Sequence, residues 1–123
     1  MTTSATEVVE QYIRAYNDFD FSQLESLLAE DVYLTHHNRG FVTEGREATM
    51  NLYKGTPDLI PDRALVERTG LIADGDRVVV QHTLTGTNKV DTPFGPAGAS
   101  IRIDLATVFT VVDGKVTKYE DYG

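Results

Sequence analysis

An α+β fold, with helices gathered on one face of an antiparallel sheet, is what this 123-residue sequence predicts. Three observations carry that expectation. Apolar residues recur at helical spacing as far as Thr56, whereas after Pro61 the pattern changes to long strands. Tight turns at Asp74-Gly75-Asp76 and Asp113-Gly114 then join those strands, which makes neighbours antiparallel. No internal repeat or linker interrupts the chain, so residues 1–123 read as one domain.

Ser4-Ala5-Thr6-Glu7 fits a capping box, in which hydroxyl and carboxylate satisfy each other's free backbone N–H groups. Ala5, Val8, Val9, Tyr12, Ile13 and Tyr16 follow as one apolar stripe, with Glu10 and Arg14 spaced for a pair on the other face. A second box, Ser22-Gln23-Leu24-Glu25, opens a short helix carrying Leu24, Leu27 and Leu28. Val32 to His37 reads as a brief strand, and Gly45 to Lys54 as a third helix stopped by Gly55 and Pro57. The long strands are expected over Ala64–Ala73, Arg77–Thr87, Ile101–Val112 and Lys115–Tyr122. The loops Asn38–Glu44, Lys54–Asp62 and Asn88–Ser100 carry no periodicity.

Composition removes several function classes. The net charge of −8, with Lys and Arg scattered, opposes nucleic acid, which needs clustered cations to displace counterions. No apolar run approaches the roughly 18 residues that cross a bilayer, so no membrane role is expected. Met1-Thr2-Thr3-Ser4 has neither the basic flank nor the apolar stretch of a leader, and a cytoplasmic address is the expectation. Without cysteine there is no disulfide, no thiolate chemistry and no cysteine-built zinc site. No Gly-rich phosphate loop appears at a strand-to-helix junction, so no cofactor is expected.

Period-two alternation sorts the polar side chains by face. Val78, Val80, His82 and Leu84 form the more apolar face of their strand, which points His82 inward. Ile101, Ile103, Leu105, Thr107, Phe109 and Val111 form another apolar face with one hydroxyl in it. On its reverse, Arg102, Asp104, Ala106, Val108 and Thr110 suit a sheet packing on a second subunit. In the last strand Thr117, Tyr119 and Asp121 alternate with Val116, Lys118, Glu120 and Tyr122, and periodicity does not choose between the sets. His36 shares a face with Val32 and Leu34, while His37 faces the other way. Adjacent histidines so disposed do not ligate one metal, and no metal site is expected.

Over nearly its whole length the chain resembles a known superfamily. Val8-Val9-Glu10-Gln11-Tyr12 followed by Leu28-Ala29-Glu30-Asp31-Val32 resembles the start of ketosteroid isomerase. Gly86-Thr87 with Thr92-Pro93-Phe94-Gly95-Pro96-Ala97-Gly98 is similar to the hairpin loop of SnoaL-like polyketide cyclases. Val108-Phe109, Asp113-Gly114-Lys115-Val116 and Glu120-Asp121-Tyr122 are similar to the final hairpin of those cyclases and of limonene-epoxide hydrolase. All belong to the nuclear transport factor 2-like superfamily. The resemblance implies a cone: a strongly curved antiparallel (mixed) sheet around three helices, with one internal pocket and a homodimer through the outer sheet face.

Carried over by position, Tyr12 matches the isomerase tyrosine that donates to the developing oxyanion. His36 falls where that enzyme keeps its carboxylate base, and Thr107 where it has its protonated aspartic acid. Asp121 matches the acidic residue on the hydrolase's last strand, His82 its paired arginine, and Leu84 its second aspartate. The isomerase and hydrolase sets are therefore broken, and polyketide cyclases are contradicted least.

The expected chemistry is cofactor-free acid–base work on a small apolar carbonyl compound: isomerisation, aldol-type cyclisation or dehydration. Asp121 within reach of His82 would orient that imidazole, while His36 takes a proton α to a carbonyl and Tyr12 steadies the enolate. Tyr16, Thr107, Phe109 and Tyr119 would line the pocket. Each residue also has a packing explanation: Tyr12 lies in a core stripe, and a histidine inside a strand is often structural. His37, Asn38 and Arg39 read as a solvated strand end and turn. Two other functions stand beside the enzyme: a binding module that holds an apolar ligand unchanged, and a dimeric interaction domain. Convergence of His36, His82 and Asp121 favours the enzyme, and a pocket filled by Tyr12, Tyr16 and Phe109 favours the interaction domain.

Overall fold

A computed structural model describes residues 4–123; Met1, Thr2 and Thr3, part of the start read above as lacking a leader, lie outside it. Ser4 caps the first helix, α1 (Ala5–Asn17), where its Oγ accepts from the Glu7 N–H at 3.1 Å. The expected stripe is the buried one: Val8, Val9, Tyr12 and Ile13 face the core. Glu10 does not pair with Arg14 along the helix. It reaches across to Arg68 at 2.5 Å, because a neighbouring strand passes beside that face.

The second helix, α2 (Phe21–Leu27), starts from Asp20 and not from Ser22. Asp20 Oδ1 accepts from the Gln23 N–H at 3.1 Å, and a carboxylate suits a helix N-terminus better than a hydroxyl. Strand β1 (Leu28–His36) follows without a loop and is longer than its apolar signal. His37, expected in the strand, opens a 3-10 turn over His37–Arg39 that Gly40 ends in the left-handed region, φ 64°. The chain then returns as β2 (Phe41–Glu44), a strand pairing with β1 that the sequence presents as loop. Its four residues are too few, and too exposed, to show alternation. Helix α3 (Arg46–Gly55) runs into a 3-10 turn at Thr56–Asp58.

Four long strands complete the chain: β3 (Ala64–Asp74), β4 (Arg77–Thr87), β5 (Ser100–Val112) and β6 (Lys115–Tyr122). The six strands form one open, curved sheet ordered β2-β1-β6-β5-β4-β3. All pairs are antiparallel except β1 with β6, so the sheet is mixed. Helix α1 lies against β3, β4, β5 and β6, which puts the helices on the concave face.

A bulge settles the phase of the last strand. Thr110 pairs with Lys118 but Val111 pairs with Val116, leaving Thr117 as the extra residue. Val116 therefore points inward together with Tyr119 and Asp121, although they are out of step by period two. The core beneath α1 is aromatic. Tyr12 meets Phe109 edge-on, with ring centroids 5.4 Å apart, and Phe109 meets Tyr119 likewise at 5.2 Å. Among the described residues no helix is long and apolar enough to cross a membrane.

Candidate functional site

Strand register lines up the polar groups of the concave face. Phe41, His36, Asp121, Thr107 and Val80 stand in successive register positions on β2, β1, β6, β5 and β4. Parallel pairing of β1 with β6 thus sets His36 beside Asp121, and their side chains meet: Nδ1 lies 2.5 Å from Oδ2. Asp121 is 2% exposed and His36 18%, so the carboxylate sits behind the imidazole. A carboxylate that accepts this bond puts the proton on Nδ1 and leaves the Nε2 lone pair free.

Arg39 joins them from the 3-10 turn. Its Nη2 donates to Oδ1 and Oδ2 of Asp121 at 3.2 Å each. The same nitrogen lies 2.7 Å from His36 Nδ1, a contact between two donors that share one acceptor. The carboxylate holds them together, and the guanidinium–imidazole contact contributes no attraction of its own. Phe94, from the 88–100 loop, lies under the Arg39 guanidinium at 5.6 Å, and Phe41 lies beside His36 with ring centroids 5.6 Å apart.

The anticipated contact of Asp121 with His82 is not formed; Asp121 pairs with His36 instead. His82 is opposite Leu105 in the register, one step beyond Thr107, and its Nε2 meets Thr107 Oγ1 at 2.8 Å. Burial pushes the His82 pKa down to about 4; the Arg68 charge adds to this and Asp121 opposes it. At neutral pH His82 is an uncharged, hydrogen-bonded core histidine. Thr107 stands opposite Asp121 in the register, so His82 lies one step behind the carboxylate.

Four tyrosines form one cluster that reaches His36 through Tyr119. The Tyr12 and Tyr53 hydroxyls hydrogen-bond each other, and both residues are buried. Burial raises the pKa values of Tyr12, Tyr53 and Tyr119 well above the ordinary phenol. Tyr16 is raised by burial too, with Arg63 and Arg39 opposing and Asp121 adding. All four are hydroxyl donors at neutral pH. Tyr16 is half-buried, and its hydroxyl feels the charges of both Asp121 and Arg39. Phe109, fully buried behind Tyr12, fills space in the core.

His36, Asp121 and Tyr119 therefore gather about one place, with Tyr16 within reach of the Asp121 charge. Tyr12 reaches its edge through its ring, Thr107 and His82 form a layer behind, and Phe109 is packing. Arg39, which reads from the sequence as a solvated turn, is instead a partner of the carboxylate; its signal is Gly40, which closes the turn four residues past His36. Tyr53 was legible in hindsight as one turn beyond Met50 on the buried side of α3. Nothing in the pattern announces Arg63, which lies buried between the Thr56–Asp58 turn and β3.

An open groove of about 660 Å³ lies elsewhere, along Glu25, Glu30, Glu44, Arg46, Glu47 and Lys54. Its charged walls do not suit an apolar molecule, and the gathered site residues do not line it. Among the described residues no group of three or more His, Asp or Glu side chains is placed to hold a metal ion.

The SnoaL-like domain model matches residues 9–119. Among solved structures, a candidate polyketide cyclase from Xanthomonas campestris is 26% identical, with 97% of this chain and 89% of that one covered, at TM-score 0.83. One from Pseudomonas putida is 24% identical over 98% and 92% of the two chains, at 0.84. An epoxide hydrolase of the limonene-epoxide hydrolase type from M. tuberculosis is 22% identical over 98% and 83%, at 0.79. The latter two likenesses carry the fold alone. No curated protein matches the chain significantly.

Proposed function

The chain belongs to the SnoaL-like domain family, and from that premise we propose that it is a cofactor-free acid–base enzyme acting on a small carbonyl compound. The observation that carries this reading is the 2.5 Å contact between His36 Nδ1 and buried Asp121, with Nε2 left as a base. In the reaction, Nε2 takes the proton from a carbon α to the carbonyl. The C–H electron pair forms the enolate and charge moves to the oxygen. Tyr16, which feels the Asp121 and Arg39 charges, donates to that oxygen, while the Tyr12 hydroxyl shares its hydrogen bond with Tyr53. Asp121 stabilises the imidazolium until the proton returns to carbon or to a departing hydroxyl, as in isomerisation, cyclisation or dehydration.

Proton transfer of this kind is read without knowing the natural substrate. Aryl ketones bearing α-protons are incubated in D2O with the full chain, and α-deuteration is followed by NMR. The reading expects exchange that His36→Gln abolishes; exchange equal in wild type and variant contradicts it. A second reading, a dimeric interaction domain of the same fold, is favoured by how much of the interior Tyr12, Phe109 and Tyr119 fill. Under it, ketones neither bind nor are deuterated.

A further inference from the structure

Arg63 is the one lysine or arginine buried among the described residues, at 3% exposure. It lies between the Thr56–Asp58 turn and β3. Its guanidinium is clamped between two rings, with Cζ 3.7 Å from the Tyr16 centroid and 4.1 Å from that of Phe19. Nε donates to Thr56 Oγ1 at 2.8 Å and Nη1 to the Tyr16 carbonyl at 2.6 Å. Nη2 is buried and has no hydrogen-bond partner among the described residues.

The chain is strained to build this clamp. Phe19 occupies the left-handed position of a Schellman turn: its N–H reaches the Tyr16 carbonyl, and Asp20 N–H reaches that of Ala15. Glycine is the usual residue there, and a phenylalanine at φ 56° is strained. What phenylalanine adds is the second ring over Arg63. Gly86 serves the same end, because a Cβ there would stand 2.5 Å from Ile60 Cγ2 and 3.4 Å from the Arg63 Cα.

A buried cation normally has a carboxylate beside it. Arg63 makes no ion pair among the described residues, and the titratable groups that couple to it are Tyr16, Tyr53, Tyr12 and Tyr119, all uncharged at neutral pH. The C-terminus of α1, which Nη1 caps, supplies only about half a negative charge. Tyr16 is shared: its hydroxyl feels Arg63 on one hand and Asp121 with Arg39 on the other.

We propose that Arg63 Nη2 binds a carboxylate of the substrate, so that the site takes a small oxo acid and not a neutral ketone. This rests on the reading of His36 and Asp121 as a site for carbonyl compounds. The carboxylate completes the charge balance of Arg63 beneath the tyrosines, and the carbonyl lies toward Tyr16 and His36.

The probes are 4-oxo-4-phenylbutanoate and its methyl ester, which differ in the anionic group alone. Binding is measured by calorimetry to wild type and to Arg63→Met, which retains an unbranched apolar stem between the two rings. The acid is expected to bind wild type at least about tenfold more tightly than the ester, the scale of one charged hydrogen bond. Arg63→Met is expected to lose that preference while keeping ester binding. Equal binding of acid and ester, no binding of the acid, or a preference that survives in Arg63→Met overturns the proposal.

Should Arg63→Met not fold, the wild-type Arg63 Nε–H resonance, assigned with Arg63→Lys, decides instead. The acid is expected to shift it and the ester not; any other pattern overturns the proposal. Deuteration of the probe at its α-carbon is scored separately. An Arg63-dependent preference without deuteration keeps the carboxylate site and removes the catalytic reading.

Discussion

His36 Nδ1 and Asp121 Oδ2 stand 2.5 Å apart although 85 positions separate the residues in sequence. The contact depends on the single parallel pairing in the sheet, which lays the last strand beside the first. It also depends on the Thr117 bulge, without which Asp121 would face away from the helices. Two features of topology thus assemble one pair of side chains, and the consequences can be tested separately.

Asp121→Asn is expected to slow α-deuteration by about 10²–10⁴-fold, the scale of removing an orienting carboxylate from an imidazole. The amide can present its NH2 to Nδ1, which turns the ring to the wrong tautomer and takes the base from Nε2. The exchange rate is the measurement, with circular dichroism to verify that the sheet is retained.

His82 governs a pH dependence of stability. Its pKa falls from 6.5 to about 4 on folding, so the unfolded chain binds a proton that the folded chain refuses in that window. Stability from this group is complete above pH 6.5 and is lost as pH falls toward 4, by about 3 kcal/mol in all. Urea midpoints at pH 7 and pH 4.5 are expected to differ more for wild type than for His82→Gln. A matching pair of differences contradicts the assignment.

The Tyr12–Tyr53 hydrogen bond is expected to behave non-additively. Removing either hydroxyl leaves its buried partner unsatisfied and costs about 1–3 kcal/mol, whereas removing both costs little more than one. Tyr12→Phe, Tyr53→Phe and the double variant, compared by denaturant unfolding, form the cycle.

Gly86 and Gly55 should answer alanine in opposite directions. At Gly86 a Cβ would collide with Ile60, and overpacking of this kind costs about 1–3 kcal/mol. Gly55 ends α3 at φ −81° with open space around it, so alanine there stabilises by about 0.4–1 kcal/mol. Thermal midpoints of the two variants decide the matter.

The long strands and the first helix were legible because each buries one face, and burial writes periodicity into sequence. Strand β2 was not, since an exposed edge of four residues has no face to hide. His36 and Asp121 could be marked individually from resemblance and facing. Their pairing could not, because alternation runs continuously through β6 whereas the chain inserts Thr117. The resemblance instead paired Asp121 with His82, which the register sets opposite Leu105, two residues from the Thr107 that faces Asp121. Arg39 and Arg63 sit in irregular segments, where position comes from hydrogen bonds and stacking that no period records.

The most direct test of the central claim is the protonation pattern of His36, read from 15N shifts of the neutral imidazole in the full chain and in Asp121→Asn. The account predicts a proton on Nδ1 in wild type, with Nε2 bare, and a change of tautomer in the variant. A proton on Nε2 in wild type, or a pattern indifferent to Asp121→Asn, would show that the carboxylate does not set the base, and the proposed mechanism would fail with it.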